Sequence, residues 1–255
     1  MRLVSTHQTV LFVSGIVGFA PAIAVMFHAL RTYDYPHTEH AYFDTSRVFL
    51  AFGVGIVLGT VSGAFTVALG ILSLLSLVIA LLLIALFEEG LKLVYLNRKG
   101  YRGRFDSTFC GVSMGIGIAA LVAAGNAYVN RQALLNPVPI ALLAALSASL
   151  ALVHASTGAI IGSGCAKGEV LTPFAQAYVA RVLHAAMLVP FIVSSALTPG
   201  EIVVPVFSLS VALVFTILVY VHVYRVILPG ALPSDLRRER RRDLRKRQDR
   251  DHTVR

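Results

Sequence analysis

Charged residues are scarce in this chain, and their scarcity excludes a large class of proteins. Only 14% of the 255 residues are charged, 56% are hydrophobic, and the mean hydropathy is +0.76. A water-soluble domain is rarely so apolar, and several runs of roughly 20 residues carry few or no charges. The sequence therefore predicts a polytopic membrane protein.

Cysteine is almost absent. The two cysteines, Cys110 and Cys165, are too few for a zinc finger or an iron–sulfur site. Both fall near helix ends that the charge distribution places in the cytoplasm, so we expect reduced thiols and no disulfide.

Several catalytic and transport signatures are also missing. The chain contains no His-Glu-x-x-His motif, so no single helix supplies a ready pair of zinc ligands. No serine has an obvious base partner in sequence, and Ser156 is expected at a helix interface. The sequence shows no convincing internal repeat, a feature that would favour a carrier.

The apolar runs predict an all-α, polytopic transmembrane helix bundle of about seven spans over residues 1–228. The first span lacks the basic start and cleavage site of a signal peptide, so we expect it to be retained. The basic tail, residues 229–255, is expected to be disordered. The predicted spans are Thr9–Leu30, Val48–Val67, Leu69–Leu96, Phe109–Val129, Ile140–Ser163, Pro173–Leu197 and Ile202–Ile227.

Lysine and arginine predict the orientation. The Arg98–Arg104 loop, the Lys167 loop and the basic tail all satisfy the positive-inside rule if the N-terminus is outside and the C-terminus inside. We interpret the tail as a basic segment that fixes the orientation of the last span, because no nucleic-acid-binding module accompanies it. Its predicted surroundings are the lipid bilayer and the cytoplasm, and we expect no nucleic acid partner.

An acidic motif ends the third span. Glu88, Glu89 and Lys92 follow a long apolar run. A charged group at a bilayer centre costs roughly 2.5–3.5 kcal/mol on the insertion scale, so such groups face a bundle interior, a wet cavity or the interface. Glu88 and Lys92 are four residues apart and share a helix face, which would also suit a helix-ending ion pair.

Two histidines lie at a matching depth. His154 falls past the middle of span five and His184 near the middle of span six, so both could meet the glutamates in one layer. Asn126 lies nearer the other end of span four and fits that layer less well. Arg181 precedes His184 by one turn. The alternative is that each histidine only bonds a neighbouring helix.

Carboxylates and imidazoles in a dry bundle offer two routes to hydrolysis. In one, Glu88 or Glu89 is a general base on water, and a histidine stabilises the oxyanion or protonates the leaving group. In the other, His154, His184 and a glutamate hold zinc, whose bound water is the nucleophile. In the loop after span one, His37 and His40 could likewise bind a metal, although a solvated loop explains them too.

These residues resemble a known family. Glu88-Glu89-Gly90-Leu91-Lys92 resembles the Glu-Glu-x-x-Lys signature of the PrsW family of intramembrane peptidases, which is related to the CAAX prenyl endopeptidases and to Aph-1. Further motifs that resemble the family follow in order: Asp106 with Gly111, Gly115 and Gly117; His154 with Gly158 and Gly162; and Val182-Leu183-His184. The resemblance covers about Ala85 to Phe191.

The resemblance implies a membrane-bound peptidase that cleaves a membrane-anchored or membrane-proximal protein in a prokaryotic inner membrane. Glu88, Glu89, His154 and His184 would be catalytic, with Lys92, Asn126 and Arg181 supporting them and zinc as a candidate cofactor. The alternatives are a non-catalytic scaffold of the same fold that binds transmembrane helices, and a proton-coupled carrier.

Two departures from the family pattern bear on activity. The family's fourth-span glutamate is replaced by Val122 or Gly125, depending on the alignment, and Met187 and Leu188 stand where an acid follows the last histidine. If the missing glutamate is a ligand or a base, activity is impaired. If Glu88 or Glu89 supplies the base, activity can survive.

Overall fold

The computed structural model describes residues 2–35, 37–39, 41–69, 73–135, 137–197 and 202–253, and these residues form helices, turns and loops but no strand. Seven of the helices are long and apolar enough to cross a membrane. The all-α prediction with about seven spans is therefore confirmed, and the helices fit a multi-pass membrane protein. They are α1 (Arg2–Leu30), α2 (Thr45–Leu69), α3 (Leu74–Leu96), α4 (Ser107–Val129), α5 (Pro137–Lys167), α6 (Leu171–Leu197) and α7 (Val203–His222).

The third span starts later than expected. Leu69 belongs to α2, and α3 begins at Leu74 because Ser73 caps it. The Ser73 hydroxyl accepts a hydrogen bond from the Ser76 backbone N–H (3.1 Å), and the Ser76 hydroxyl accepts one from the Ser73 N–H (2.8 Å). This reciprocal arrangement satisfies two backbone donors that a helix start leaves unpaired.

Helix α4 is the central element. In the membrane-spanning part of α4, 78% of the residues are buried, compared with 22–50% in the other six helices. It packs against α1, α2 and α5. At Gly111, Gly115 and Gly117 the backbones of α5 and α2 approach α4 closely, because these residues have no side chain.

Glycine pairs form these close approaches. A Cβ added at Gly111 would overlap the Gly158 carbonyl, and one added at Gly158 would overlap the Gly111 carbonyl. In α2, Gly55, Gly59 and Gly63 recur every four residues, a spacing in the sequence that predicts close helix packing. Gly55 and Gly59 do contact α4, whereas a Cβ at Gly63 would meet nothing within 4 Å.

The outer helices complete the bundle. Helix α3 packs against α2, α5 and α6, and α7 packs against α5 and α6. Where Pro190 interrupts α6, the Ser208 hydroxyl of α7 donates to the Met187 carbonyl (2.6 Å) and accepts from the Phe191 N–H (3.2 Å). After α7 the chain continues through a π-helical turn, Val223–Ile227, and α8 (Leu228–Ala231).

The basic tail differs from expectation. Residues Ser234–Thr253 form helix α9, where we expected disorder. Contacts with the connection between α1 and α2 explain the order: Arg240 donates to the Thr32 carbonyl (3.1 Å) and stacks on the Tyr33 ring (4.0 Å). The Tyr42 hydroxyl donates to Asp243 (3.0 Å), and burial and this hydrogen bond raise the pKa of Tyr42.

The tail and three connections, those after α1, α3 and α5, lie at the same end of the bundle. The tail contacts the α1–α2 connection, Arg47 donates to the Gly100 carbonyl (2.9 Å), and the Gly103 N–H donates to the Cys165 carbonyl (3.1 Å). We call this the basic end. The side of the membrane on which it lies stays a prediction from the positive-inside rule.

Candidate functional site

Helix α3 carries both glutamates into the protein interior. Glu88 is 1% exposed, and Glu89 and Lys92 are fully buried. These residues lie within about two turns of the Leu96 end of α3, toward the basic end. Charged groups so deep in an apolar bundle need ionic and hydrogen-bonding partners.

Lys92 ties Glu89 to α5. Its ammonium group donates to Glu89 Oε1 (2.7 Å), to Thr157 Oγ1 (2.7 Å) and to His154 Nδ1 (3.0 Å). Three N–H groups thus meet three acceptors. The Thr157 hydroxyl in turn donates to Glu89 Oε1 (3.2 Å). The sequence suggested that Lys92 pairs with Glu88; in the structure it bonds Glu89.

Glu88 has a different cation. Arg181 of α6 donates to Glu88 Oε2 through both Nε (3.1 Å) and Nη2 (2.9 Å), and the Ser62 hydroxyl of α2 donates to Glu88 Oε1 (2.7 Å). Glu88 Oε2 also lies 3.7 Å from His154 Nε2. The two ion pairs therefore meet at His154.

His184 is held at both ring nitrogens. Arg181 Nη1 lies 3.3 Å from its Nδ1, and the Ser149 hydroxyl lies 2.9 Å from its Nε2. The Ser149 hydroxyl is also 3.4 Å from Thr216 Oγ1 of α7, so this branch of the network reaches a fifth helix. His184 thus links α5, α6 and α7.

The partners determine the tautomers. Arginine and charged lysine donate hydrogen bonds but cannot accept them. Nδ1 of each imidazole therefore accepts, from Lys92 in His154 and from Arg181 in His184, and a neutral ring then carries its proton on Nε2. If both glutamates and both cations are ionised and both imidazoles are neutral, the six groups together carry no net charge.

Two buried atoms of this site have no hydrogen-bond partner among the described residues. They are Glu89 Oε2, an acceptor, and His154 Nε2, a donor in the tautomer above. Buried polar atoms are normally paired, so these two atoms retain unused hydrogen-bonding capacity; Glu88 Oε2, 3.7 Å from His154 Nε2, is beyond hydrogen-bond distance. Water or a peptide group offers the complementary atoms.

The helix packing fixes His154. A Cβ at Gly115 would overlap the His154 carbonyl, so only glycine lets α4 and α5 approach this closely. Two further close contacts follow one another along the same interface on one side of this contact: Gly111 with Gly158, and then Ser107 with Gly162. The position of the His154 imidazole thus depends on small residues one and two helical turns away at the α4–α5 interface.

The donor set fits zinc poorly. Lys92 occupies Nδ1 of His154, both ring nitrogens of His184 are bonded, and Lys92 and Arg181 already neutralise the carboxylates. Among the described residues no three His, Cys, Asp or Glu side chains are placed to hold a metal ion. In the loop after α1, His40 lies outside the described residues.

Most residues selected from the sequence meet in this cluster. Glu88, Glu89, His154 and His184 are joined by Lys92 and Arg181. Asn126 is not part of it: its side chain is exposed, and its carbonyl accepts hydrogen bonds from Asn130 near the end of α4. At the two candidate positions for the missing family glutamate, Val122 packs partly buried against the core and Gly125 is exposed.

Sequence reasoning missed the hydroxyl groups. Ser62 bonds Glu88, Thr157 bonds Lys92 and Glu89, and Ser149 bonds His184. Thr216 bonds Ser149, so the hydroxyl groups come from three helices. Thr157 could have been found, because it lies three residues after His154 and shares its helix face. Nothing in the sequence marks Ser62 or Thr216. Ser156, expected at a helix interface, bonds the Leu152 carbonyl of its own helix.

Comparisons with known proteins add no assignment: no protein-family model, curated protein or solved structure matches this chain.

Proposed function

We propose that this chain is an intramembrane peptidase of the PrsW type, which cleaves a membrane-anchored or membrane-proximal peptide. The observation that carries the proposal is the unpaired couple Glu89 Oε2 and His154 Nε2, buried together in a charge-balanced cluster. A peptidase needs a base for water and a donor for the oxyanion, and these two atoms have the required polarity.

Glu89 is the base in this mechanism. Its Oε1 is held by Lys92 and Thr157, while its Oε2 is available to accept a proton from water. The water oxygen bonds to the peptide carbonyl carbon, and the proton moves to Glu89. When the C–N bond breaks, Glu89 passes that proton to the leaving nitrogen.

His154 stabilises the oxyanion. Its Nε2–H points away from Lys92, which holds the opposite nitrogen at 3.0 Å. Lys92 thus orients both the base and the oxyanion donor. Glu88, Arg181 and His184 act as positioning residues, because their polar atoms already bond one another.

The location of the cluster suggests where the substrate lies. The glutamates sit toward the basic end, which we propose faces the cytoplasm of a prokaryotic cell. A peptide bond near that face of the bilayer would reach the site. The substrate is then a membrane protein, cleaved in or next to its transmembrane segment.

The experiment compares membranes that contain the parent chain, a Glu89→Gln, Lys92→Met double variant, or a Ser210→Ala control. The double variant removes base and cation together, so no buried charge is left alone, and Ser210 is exposed on α7. Newly formed peptide N-termini are labelled and identified by mass spectrometry. We expect termini in or beside transmembrane segments with the parent and the control, and none with the double variant; identical sets in all three would overturn the proposal.

The second candidate is a non-catalytic scaffold. The paired state of Glu88, Arg181 and His184 favours it, because a closed network can simply lock α3, α5 and α6 together. The absent fourth-span glutamate favours it as well. A scaffold would produce no new N-termini in the experiment above, yet would still co-purify with a membrane partner in all three forms.

A further inference from the structure

Helix α9 presents arginines outward. Arg238, Arg241, Arg242 and Arg245 are exposed and follow the i, i+3, i+4, i+7 spacing that places them on one helix face. None of the four forms an ion pair with a described residue. This row, which we call the arginine face, is a dense positive surface on a short segment.

The opposite face of α9 is docked against the α1–α2 connection and carries Asp243, one of the acidic residues of this helix. Asp243 is 6% exposed and accepts from the Tyr42 hydroxyl (3.0 Å) and the Glu39 backbone N–H (3.4 Å). Arg240 is fixed on Thr32 and Tyr33, and Lys246 pairs with Glu39 (3.0 Å). Docking thus turns one carboxylate, that of Asp243, away from the arginine face.

The connection between spans and tail holds α9 near the lipid surface. Leu232, two residues before α9, is buried in the core at 1% exposure. The docking site joins α1 and α2, which are outer helices with 22% and 28% of their spans buried. We therefore expect the arginines of α9 to reach the headgroup layer.

We propose that the arginine face binds the phosphate-bearing headgroups of anionic phospholipids in the leaflet at the basic end. Guanidinium groups pair with phosphate through two parallel hydrogen bonds, and a fixed helical row offers several such groups at once. Nucleic acid carries the same phosphate chemistry. The covalent link to the last span, however, keeps a high local concentration of lipid against this face.

The test uses tryptophan fluorescence, because the chain has no tryptophan of its own. Ser234→Trp places an exposed reporter at the start of α9, on the side of the arginine face. The protein is reconstituted in vesicles that contain phosphatidylglycerol and phosphatidylcholine, with either one brominated. The ratio of the two quenching efficiencies gives the preference for anionic lipid next to α9.

Two variants carry matched charge changes. The α9 variant removes three charges from the arginine face through the substitutions Arg238→Gln, Arg241→Gln and Arg245→Gln. The loop variant removes three exposed charges from the α3–α4 loop through the substitutions Arg98→Gln, Lys99→Gln and Arg102→Gln. We expect phosphatidylglycerol to be preferred by roughly tenfold or more in the parent and the loop variant, and little or no preference in the α9 variant.

Three outcomes would overturn the proposal. The parent could show no preference, or the loop variant could lose as much preference as the α9 variant, which would mean that only net charge matters. An excess of a single-stranded oligonucleotide could also displace the lipid, which would assign the arginine face to nucleic acid. None of these outcomes depends on peptidase activity, so the test stands apart from the proposed function.

Discussion

At the scale of single residues, the buried charges are the most constrained feature of the molecule. Lys92 and Glu89 have no exposed surface and lie 2.7 Å apart, and Arg181 and Glu88 lie 2.9 Å apart. Removing one partner of such a pair leaves a bare charge in the interior, whereas removing both leaves none. Each pair therefore behaves as a unit in both folding and chemistry.

A double-mutant cycle tests this unit. We expect Lys92→Met alone to destabilise the fold by about 3–5 kcal/mol, and the Glu89→Gln, Lys92→Met double variant by much less, because the stranded carboxylate is removed. Unfolding in detergent, followed by circular dichroism, measures all four states of the cycle: the parent, Glu89→Gln, Lys92→Met and the double variant. Additive losses in the double variant would show that the residues do not act as a pair.

Metal content gives a second prediction at this scale. Because Lys92, Arg181 and Ser149 bond three of the four imidazole nitrogens, we expect no stoichiometric zinc in the purified protein. The His154→Ala, His184→Ala double variant should be equally metal-free by elemental analysis. One zinc per chain in the parent, lost in the variant, would mean that the cluster rearranges around a metal.

The sequence was sufficient to predict that the glutamates and histidines meet in this cluster, but not which cation pairs with which glutamate. The cost of burying Glu88 and Glu89, together with the depth of the two histidines, was enough to select four of its members. The pairing could not be predicted, since Lys92 lies between the two acids around the helix and can reach either. Arg181 is separated from Glu88 by 93 positions, so only tertiary packing decides that pair.

At the scale of elements, glycine contacts decide where the site residues lie. Helices α4 and α5 touch through Gly111, Gly158 and the Gly115–His154 contact, so the histidine is carried by a backbone with no room to move. The glycine spacing in the sequence predicted close helix approach. The partner of each glycine emerged only in the folded bundle, and Gly63 shows that spacing alone is insufficient.

Alanine substitutions test this interface. We expect Gly158→Ala to destabilise the bundle by about 1–3 kcal/mol, because its Cβ would overlap the Gly111 carbonyl and force the helices apart. Gly63→Ala is the matched control and should be neutral or stabilising by up to about 1 kcal/mol, since its Cβ meets open space. Thermal unfolding in the same detergent compares them; equal effects would contradict the close packing.

The helical order of α9 could not be predicted from the sequence. A segment so rich in arginine suggested a solvated, disordered tail. Its order depends on Asp243 and Arg240 meeting Tyr42, Tyr33 and Thr32, which lie about two hundred positions away along the chain. No local pattern reveals such partners.

At the scale of the whole molecule, the distribution of charge sets the proposed orientation. The tail and the connections after α1, α3 and α5 lie at one end, and most exposed arginines and lysines lie there. The seven spans and their approximate limits followed from hydropathy, because a bilayer imposes its own length on each apolar helix. The sidedness follows only from the positive-inside rule.

Cysteine labelling tests the orientation. Ser234→Cys lies at the basic end, and Gln132→Cys lies at the opposite end, and both side chains are exposed. With an impermeant thiol reagent on intact cells, we expect labelling at 132 and none at 234 until the membrane is permeabilised. The parent protein is the control, because Cys110 and Cys165 are buried. The reverse pattern would invert the topology.

The most direct measurement of the central claim compares two charge-balanced variants in the cleavage of a substrate found by N-terminal labelling. Glu89→Gln, Lys92→Met removes the proposed base; Glu88→Gln, Arg181→Met removes the positioning pair. We expect the first to lower the cleavage rate by roughly 10²–10⁴-fold, the contribution of a general base, and the second to lower it far less. A larger loss in the second variant would make Glu88 the base, and cleavage unaffected in both would show that this cluster does not perform the chemistry.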